Sequence, residues 1–227
     1  VGTQAGRGML RSAQVAGIPV MVAQTMRYNG VVRTLVRERE RLGPIHSLRL
    51  SLRFEPSPPG WTYDPALAVR GTILHTGVHS FDLVRYLSGK EGDRVSCEHT
   101  TVSPSPFEDN FSAVVRLDGG PGLATVSGCR ATASRSGGIE MVGERGQLLA
   151  DLVLNTAQFV EGRSVVPLEV PPPVATIRET LGDFVEALRT GSEMPIPLEE
   201  GLRSLALVEA CYRAAQLGQT VHVPAIE

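Results

Sequence analysis

Two periodicities divide the chain. Up to about residue 90, apolar residues recur at helical spacing or in short runs, and from about 94 to 170 they tend to alternate. Beyond Pro171-Pro172-Pro173, a short stiff connector, helical spacing returns. Residues 3–16 place Met9, Leu10, Ala13 and Ala16 at near-helical spacing, with Gly17 as the terminating residue and Pro19 barring continuation. Residues 19–23 (PVMVA) form a continuous apolar run of the kind buried in a parallel sheet. A second helix is expected over 31–42, with Val32, Leu35, Val36 and Leu42 opposite a charge run that reads as a solvated face. Gly43-Pro44 ends it, and residues 45–54 alternate as a strand with Leu48, Leu50, Leu52 and Phe54 on its apolar face.

The alternating region predicts strands near 94–103, 110–118, 122–130, 138–143 and 147–153, with weaker ones near 157–161 and 165–170. Turns at 118–122 (DGGPG) and 143–146 (GERG) make successive hairpins, hence an antiparallel sheet, with Val114, Leu117, Val126 and Met141 at buried positions. Two helices close the chain. Residues 175–190 place Ile177, Leu181, Phe184, Val185 and Leu188 at core spacing, and 198–217 do so with Leu202, Leu205, Val208, Ala210 and Cys211; a short strand follows at 221–224. The expected fold is therefore α+β: a mostly antiparallel, multi-stranded sheet with helices on one face, preceded by the last helix and strand of a parallel α/β domain. A sheet face left open at this size points to a subunit interface.

Between these regions lies the most chemically loaded stretch, 71–87 (GTILHTGVHSFDLVRYL). On a regular helix over about 72–88, His75, His79, Asp82 and Tyr86 stack on one face while Ile73, Val78, Phe81, Leu83, Val84 and Leu87 bury the rest. Three readings compete. Two histidines and an aspartate have helical metal-ligand spacing, but Thr76 stands where a protease motif of the HExxH type carries glutamate. Both histidines can also be hydrogen-bonded core residues. The third reading is acid–base chemistry, since a neutral imidazole takes a proton from a hydroxyl and returns it near neutral pH.

Composition narrows the field. A formal net charge of −2 argues against nucleic acid as the main partner. The three cysteines lie far apart with no CxxC pair, which fits a reducing cytoplasm, and no apolar run approaches membrane-spanning length. No GxGxxG, P-loop or GxSxG occurs in the 227 residues. Residues 24–30 (QTMRYNG) are polar and turn-forming, beyond the C-terminal end of the expected first strand, the edge where α/β sheets place ligands; Gln24 is thus a weak candidate for cofactor contact.

The order AGIPVMVAQTMRYN, a helix ending in GPI, a strand, a W-x-x-D-P loop, G-x-x-x-x-x-G-V-H-x-x-D, a DFVEAL helix and a terminal LEEGLRSLALVEACYRAAQLGQTV resembles the glucose–fructose oxidoreductase/inositol dehydrogenase (Gfo/Idh/MocA) family over essentially the whole chain. The resemblance implies an NAD- or NADP-dependent dehydrogenase of sugars, cyclitols or related polyols, whose C-terminal sheet domain binds substrate and forms a homo-oligomer, a dimer or tetramer. It divides the chain into 1–25, a truncated remnant of an N-terminal Rossmann domain, and 26–227, the C-terminal domain. The cofactor fingerprint and a catalytic lysine would then lie outside this sequence, and the chain alone is expected to be inactive. His79 matches the family's proton-transferring histidine, and His75 stands where many members have aspartate. Arg27 and Tyr28 match the family's R-[FY] at the cleft edge, and Trp61 and Asp64 match its loop over the pocket. Arg70, with Val69, replaces common glycines and is placed to reach an anionic substrate group; Asp82 completes the set of substrate-side candidates. The His75 replacement also keeps open a catalytically idle homologue that uses its pocket for sensing or assembly.

Overall fold

A computed structural model describes residues 2–56 and 60–226. Part of the proline-rich loop at 57–59 thus lies outside the described residues. Among the described residues nine strands form one sheet: β1 (Ile45–Arg53), β2 (Gly92–Thr100), β3 (Asn110–Leu117), β4 (Leu123–Cys129), β5 (Ser136–Gly143), β6 (Gly146–Asp151), β7 (Thr156–Glu161), β8 (Ser164–Pro167) and β9 (Val221–His222). Their order is β8-β7-β6-β5-β1-β4-β3-β2-β9. Every neighbouring pair is antiparallel except β1 with β4, where Leu50 lies opposite Val126. That parallel pair arises because β1 precedes the histidine segment in the chain and enters the sheet between strands made after it.

Alternation along each strand sets the layers. Leu48, Leu50, Val95, Phe111, Ala113, Val115, Val126, Ile139, Met141 and Leu148 point inward and are buried. They pack under α2 (Gly30–Glu38), α3 (Val78–Ser88) and α5 (Leu198–Leu217). Arg49, Ser51, Arg53, Ser112, Val114 and Thr125 take the opposite register. Val114, expected in the core, is 47% exposed. It lies three residues from the buried Leu117, and a period of two cannot put both on one face.

The helices match expectation in number and depart from it in detail. Asn29 caps α2, its side-chain oxygen accepting from Val31 N at 2.8 Å, and the expected helix beyond Glu38 tightens to a 3-10 turn at Arg39–Leu42 before Gly43 turns the chain at φ 68°. The strand expected over residues 19–23 is reduced to one bridge, Met21 with Pro197, because no described strand lies beside it to extend the pairing. α1 (Thr3–Ala16) lies against α5, with the Thr3 hydroxyl donating to Glu209 Oε2 at 2.6 Å.

α4 (Thr176–Thr190) is the clearest departure. Ile177, Leu181, Val185 and Leu188, expected in the core, are 66%, 57%, 59% and 47% exposed. Thr180 and Ala187 are buried instead. Helical spacing identifies an apolar stripe but says nothing of what covers it; here a neighbouring line of residues faces the protein.

Candidate active site

The histidine segment does not begin as a regular helix. Ile73–Gly77 forms one wide π turn, and the α-helical geometry of α3 starts at Val78. The wider turn breaks the constant angular step on which the four-residue stacking of His75 over His79 depends. Only His79, Asp82 and Tyr86 share the expected face, and all three meet the same partner, the 3-10 turn Thr25–Tyr28 with the Gln24 before it.

At one end of that face Gln24 Oε1 lies 3.3 Å from His79 Nδ1. At its centre Arg27 donates to both oxygens of Asp82, Nε to Oδ2 at 2.8 Å and Nη2 to Oδ1 at 2.6 Å. Further along, the Arg27 guanidinium carbon lies 4.7 Å from the centre of the Tyr86 ring. Glu200 and Ser204 of α5 join from below: Glu200 accepts from Arg27 and Arg85, and Ser204 donates to Asp82. Burial works against the Arg27 charge, but contacts with Asp82 and Glu200 outweigh it and raise its pKa.

These contacts reassign several residues expected at the substrate. Asp82 is 1% exposed and its oxygens are taken by Arg27 and Ser204, so it is a structural anchor rather than a substrate contact. It is equally unavailable as a third metal ligand, and among the described residues no three His, Cys, Asp or Glu side chains cluster as a metal site. Arg27 is committed to the same network. Tyr28 is buried beneath α4, where burial and a hydrogen bond with Asp183 push its hydroxyl up to about 12. Gln24, placed by its sequence position at a cofactor edge, is 4% exposed and faces His79.

His75 belongs to a second neighbourhood. Trp61, itself 57% exposed, meets its ring edge-on with centroids 5.2 Å apart. The segment's start is clamped by Glu108, a residue that no pattern in the sequence marks. One Glu108 oxygen accepts from Gly71 N and the other from Ile73 N, both at 3.1 Å, and Tyr212 donates its hydroxyl to the same carboxylate. The Glu108 backbone carbonyl accepts from Thr72 N at 2.9 Å. The Arg70 guanidinium carbon lies over Tyr212, 4.0 Å from the ring centre, at the rim of a separate open cleft with His99 and Arg213. An acid two residues before a strand carries no signal in one sequence; Glu108 becomes visible only when β3 is placed beside the π turn.

Electrostatics distinguish the histidines from ordinary surface ones. Burial lowers the pKa of His79, with Asp82 opposing it. Burial also lowers that of His75, opposed by the Arg70 carbonyl and Glu108 and assisted by Arg130. Both imidazoles are therefore held neutral at physiological pH. Among the described residues no group bonds His79 Nε2, and His75 Nε2 is buried without a hydrogen-bond partner. A neutral imidazole with one nitrogen uncommitted, as His79 has, is equipped to exchange a proton with a hydroxyl group, whereas the free nitrogen of His75 is sealed inside the fold.

Comparison with known proteins points to an oxidoreductase family. The model of an oxidoreductase family's C-terminal alpha/beta domain matches residues 36–223. D-apiose dehydrogenase of Paraburkholderia graminis is 26% identical over 245 residues, covering 97% of this chain and 64% of the relative. Myo-inositol 2-dehydrogenase of Thermotoga maritima is 24% identical over 196 residues, covering 81% of this chain and 58% of the relative. The chain thus spans less than two thirds of either enzyme. The structure of levoglucosan dehydrogenase in complex with NADH and levoglucosan superposes with a TM-score of 0.86 at 20% identity, over 99% of this chain and 72% of the other, a likeness of fold.

Proposed function

The chain belongs to the Gfo/Idh/MocA oxidoreductase family, and from that premise we propose that it supplies the substrate-binding and proton-transfer part of an NAD- or NADP-dependent dehydrogenase of sugars, cyclitols or related polyols. The observation that carries this reading is His79: a neutral imidazole with Nδ1 engaged by Gln24 and Nε2 uncommitted. Family relatives named as dehydrogenases of apiose and inositol support the substrate class.

In oxidation a carbinol hydroxyl gives its proton to His79 Nε2; in reduction the same nitrogen returns it to the carbonyl oxygen. His75 and Trp61 line the neighbouring end of the substrate site, and Arg70 lies at the rim of the adjoining cleft. Arg27, Asp82 and Tyr28 act one step removed, by fixing the turn and helix that present His79. Hydride acceptance is the chemistry a nicotinamide supplies when bound. The 227 residues contain no glycine-rich loop to cradle its pyrophosphate, so this chain does not fit that group by itself. In this reading residues 1–25 close a dinucleotide-binding domain, and 26–227 form the substrate and oligomer domain, with the open sheet face as subunit contact. The isolated chain is inactive, and micromolar binding of NAD or NADP to it in calorimetry would contradict that statement.

The test is kinetic. In the intact enzyme, His79→Ala lowers kcat by roughly 10²–10⁴ while the melting temperature stays near that of the parent. A protein that shows no turnover of any polyol before substitution is instead an idle homologue.

A further inference from the structure

We propose that Gln24 is a positioning residue that fixes the tautomer of His79, holding the ring proton on Nδ1 and leaving Nε2 bare. The inference deepens the proton-carrier reading of His79, because only an unprotonated Nε2 accepts a proton from a hydroxyl.

A neutral imidazole carries one proton, and the group bonded to one nitrogen decides what the other can do. A histidine side chain left to solvent favours the proton on Nε2, which is the wrong form for a base acting through that atom. Gln24 presents its amide oxygen to Nδ1 at 3.3 Å. An oxygen only accepts, so this contact requires a proton on Nδ1. The opposite amide orientation would direct an N–H donor at Nδ1 and drive the proton to Nε2. The side chain of Gln24 therefore has one productive orientation and one unproductive one.

The surrounding structure holds the residue in place from both sides. Gln24 N donates to the Val22 carbonyl at 3.0 Å, and the Gln24 carbonyl accepts from Arg27 N at 3.1 Å, opening the 3-10 turn. Arg27 then grips Asp82 with two hydrogen bonds, and Asp82 lies one turn beyond His79 on α3. Gln24, the turn, Arg27, Asp82 and His79 thus form a closed ring of contacts that returns to Gln24. Residue 24 is 4% exposed, so water does not compete freely for its amide.

Nuclear magnetic resonance of the 227-residue chain with isotope-labelled histidine nitrogens tests this directly, at a pH above the histidine range. Protonated and bare ring nitrogens resonate far apart, and His79→Gln assigns the signal. The expected parent spectrum has Nδ1 protonated and Nε2 bare. Gln24→Met, similar in shape but without an acceptor, moves the proton mainly to Nε2, and Gln24→Glu returns it to Nδ1. A parent spectrum with Nε2 protonated overturns the proposal, as does a folded Gln24→Met protein with the parent tautomer. The parent spectrum decides even if a variant fails to fold. No cofactor or turnover enters the measurement, so its failure and that of the His79 proton-carrier reading are separate results.

Discussion

Arg27 and Asp82, 55 residues apart in sequence, meet through two hydrogen bonds of 2.8 and 2.6 Å with Asp82 almost wholly buried. The pair joins the 3-10 turn after residue 24 to α3, and it is the main link between the turn and the helix that carries His79. Breaking a buried pair costs more than the pair is worth, because the surviving charge stays buried. Asp82→Asn leaves Arg27 with Glu200 as its carboxylate partner and removes a countercharge 3.9 Å from Arg85. The expected loss is about 3 kcal/mol of unfolding free energy, read from the shift of a urea midpoint. A loss below about 1 kcal/mol, the range of an exposed pair, would mean that Asp82 is not the anchor described above.

Gly71 sits where a Cβ would collide with the backbone oxygen of Glu108. That oxygen also accepts from Thr72 N, so the backbone cannot retreat without losing the clamp on the π turn. Gly71→Ala should lower stability by about 1–3 kcal/mol, the usual cost of overpacking, and disturb the Trp61–His75 contact. Thermal unfolding together with tryptophan fluorescence reports both effects. An alanine variant unchanged in both would remove the clamp from the account.

The two lowered histidine pKa values give stability a pH dependence of definite sign. Above the ordinary value of about 6.5 folded and unfolded histidines are both neutral and contribute no slope. As pH falls through that value the unfolded chain takes up protons first, since His75 and His79 remain neutral in the fold. Unfolding is then favoured, and stability declines with acidification. Urea midpoints between neutrality and pH about 5 should show this decline, and His79→Gln should make it shallower. An unchanged slope in the variant would show that His79 titrates alike in both states.

The open sheet face yields a prediction about assembly. Val114 projects from it near Arg49 and Arg53, and Arg49 pairs across strands with Glu140 at 2.5 Å. If this face joins subunits, sedimentation equilibrium finds the parent as a dimer or tetramer and Val114→Arg as a smaller species. A monomeric parent chain would rule the face out as the contact for this length of chain.

The sheet was largely legible because period-two alternation is strict: Leu48, Leu50 and Leu52 mark one face of β1 without outside information. The failures each have a physical cause. Val114 looked like core by residue type, but its register relative to Leu117 decides its face. Periodicity reveals the apolar stripe on α4 but does not name the surface that covers it. His75 and His79 stood out as a pair, yet the π turn that separates their surroundings leaves no mark in residue spacing. Arg27, Asp82 and Gln24 stand out by position, yet spacing along the chain cannot show that an aspartate is sealed beneath an arginine.

The central place of β1 also carries a kinetic consequence. Its two edges pair with β4 and β5, which reach into residues 123–143, while β1 itself is complete at residue 53. Until those later strands arrive, both edges of an apolar strand have no mates in the sheet, and closing them requires loops long enough to slow folding. Protection of the Leu48, Leu50 and Leu52 amides in pulsed hydrogen exchange should therefore appear after that of the β2–β3 hairpin. The middle of the sheet is made early and finished late.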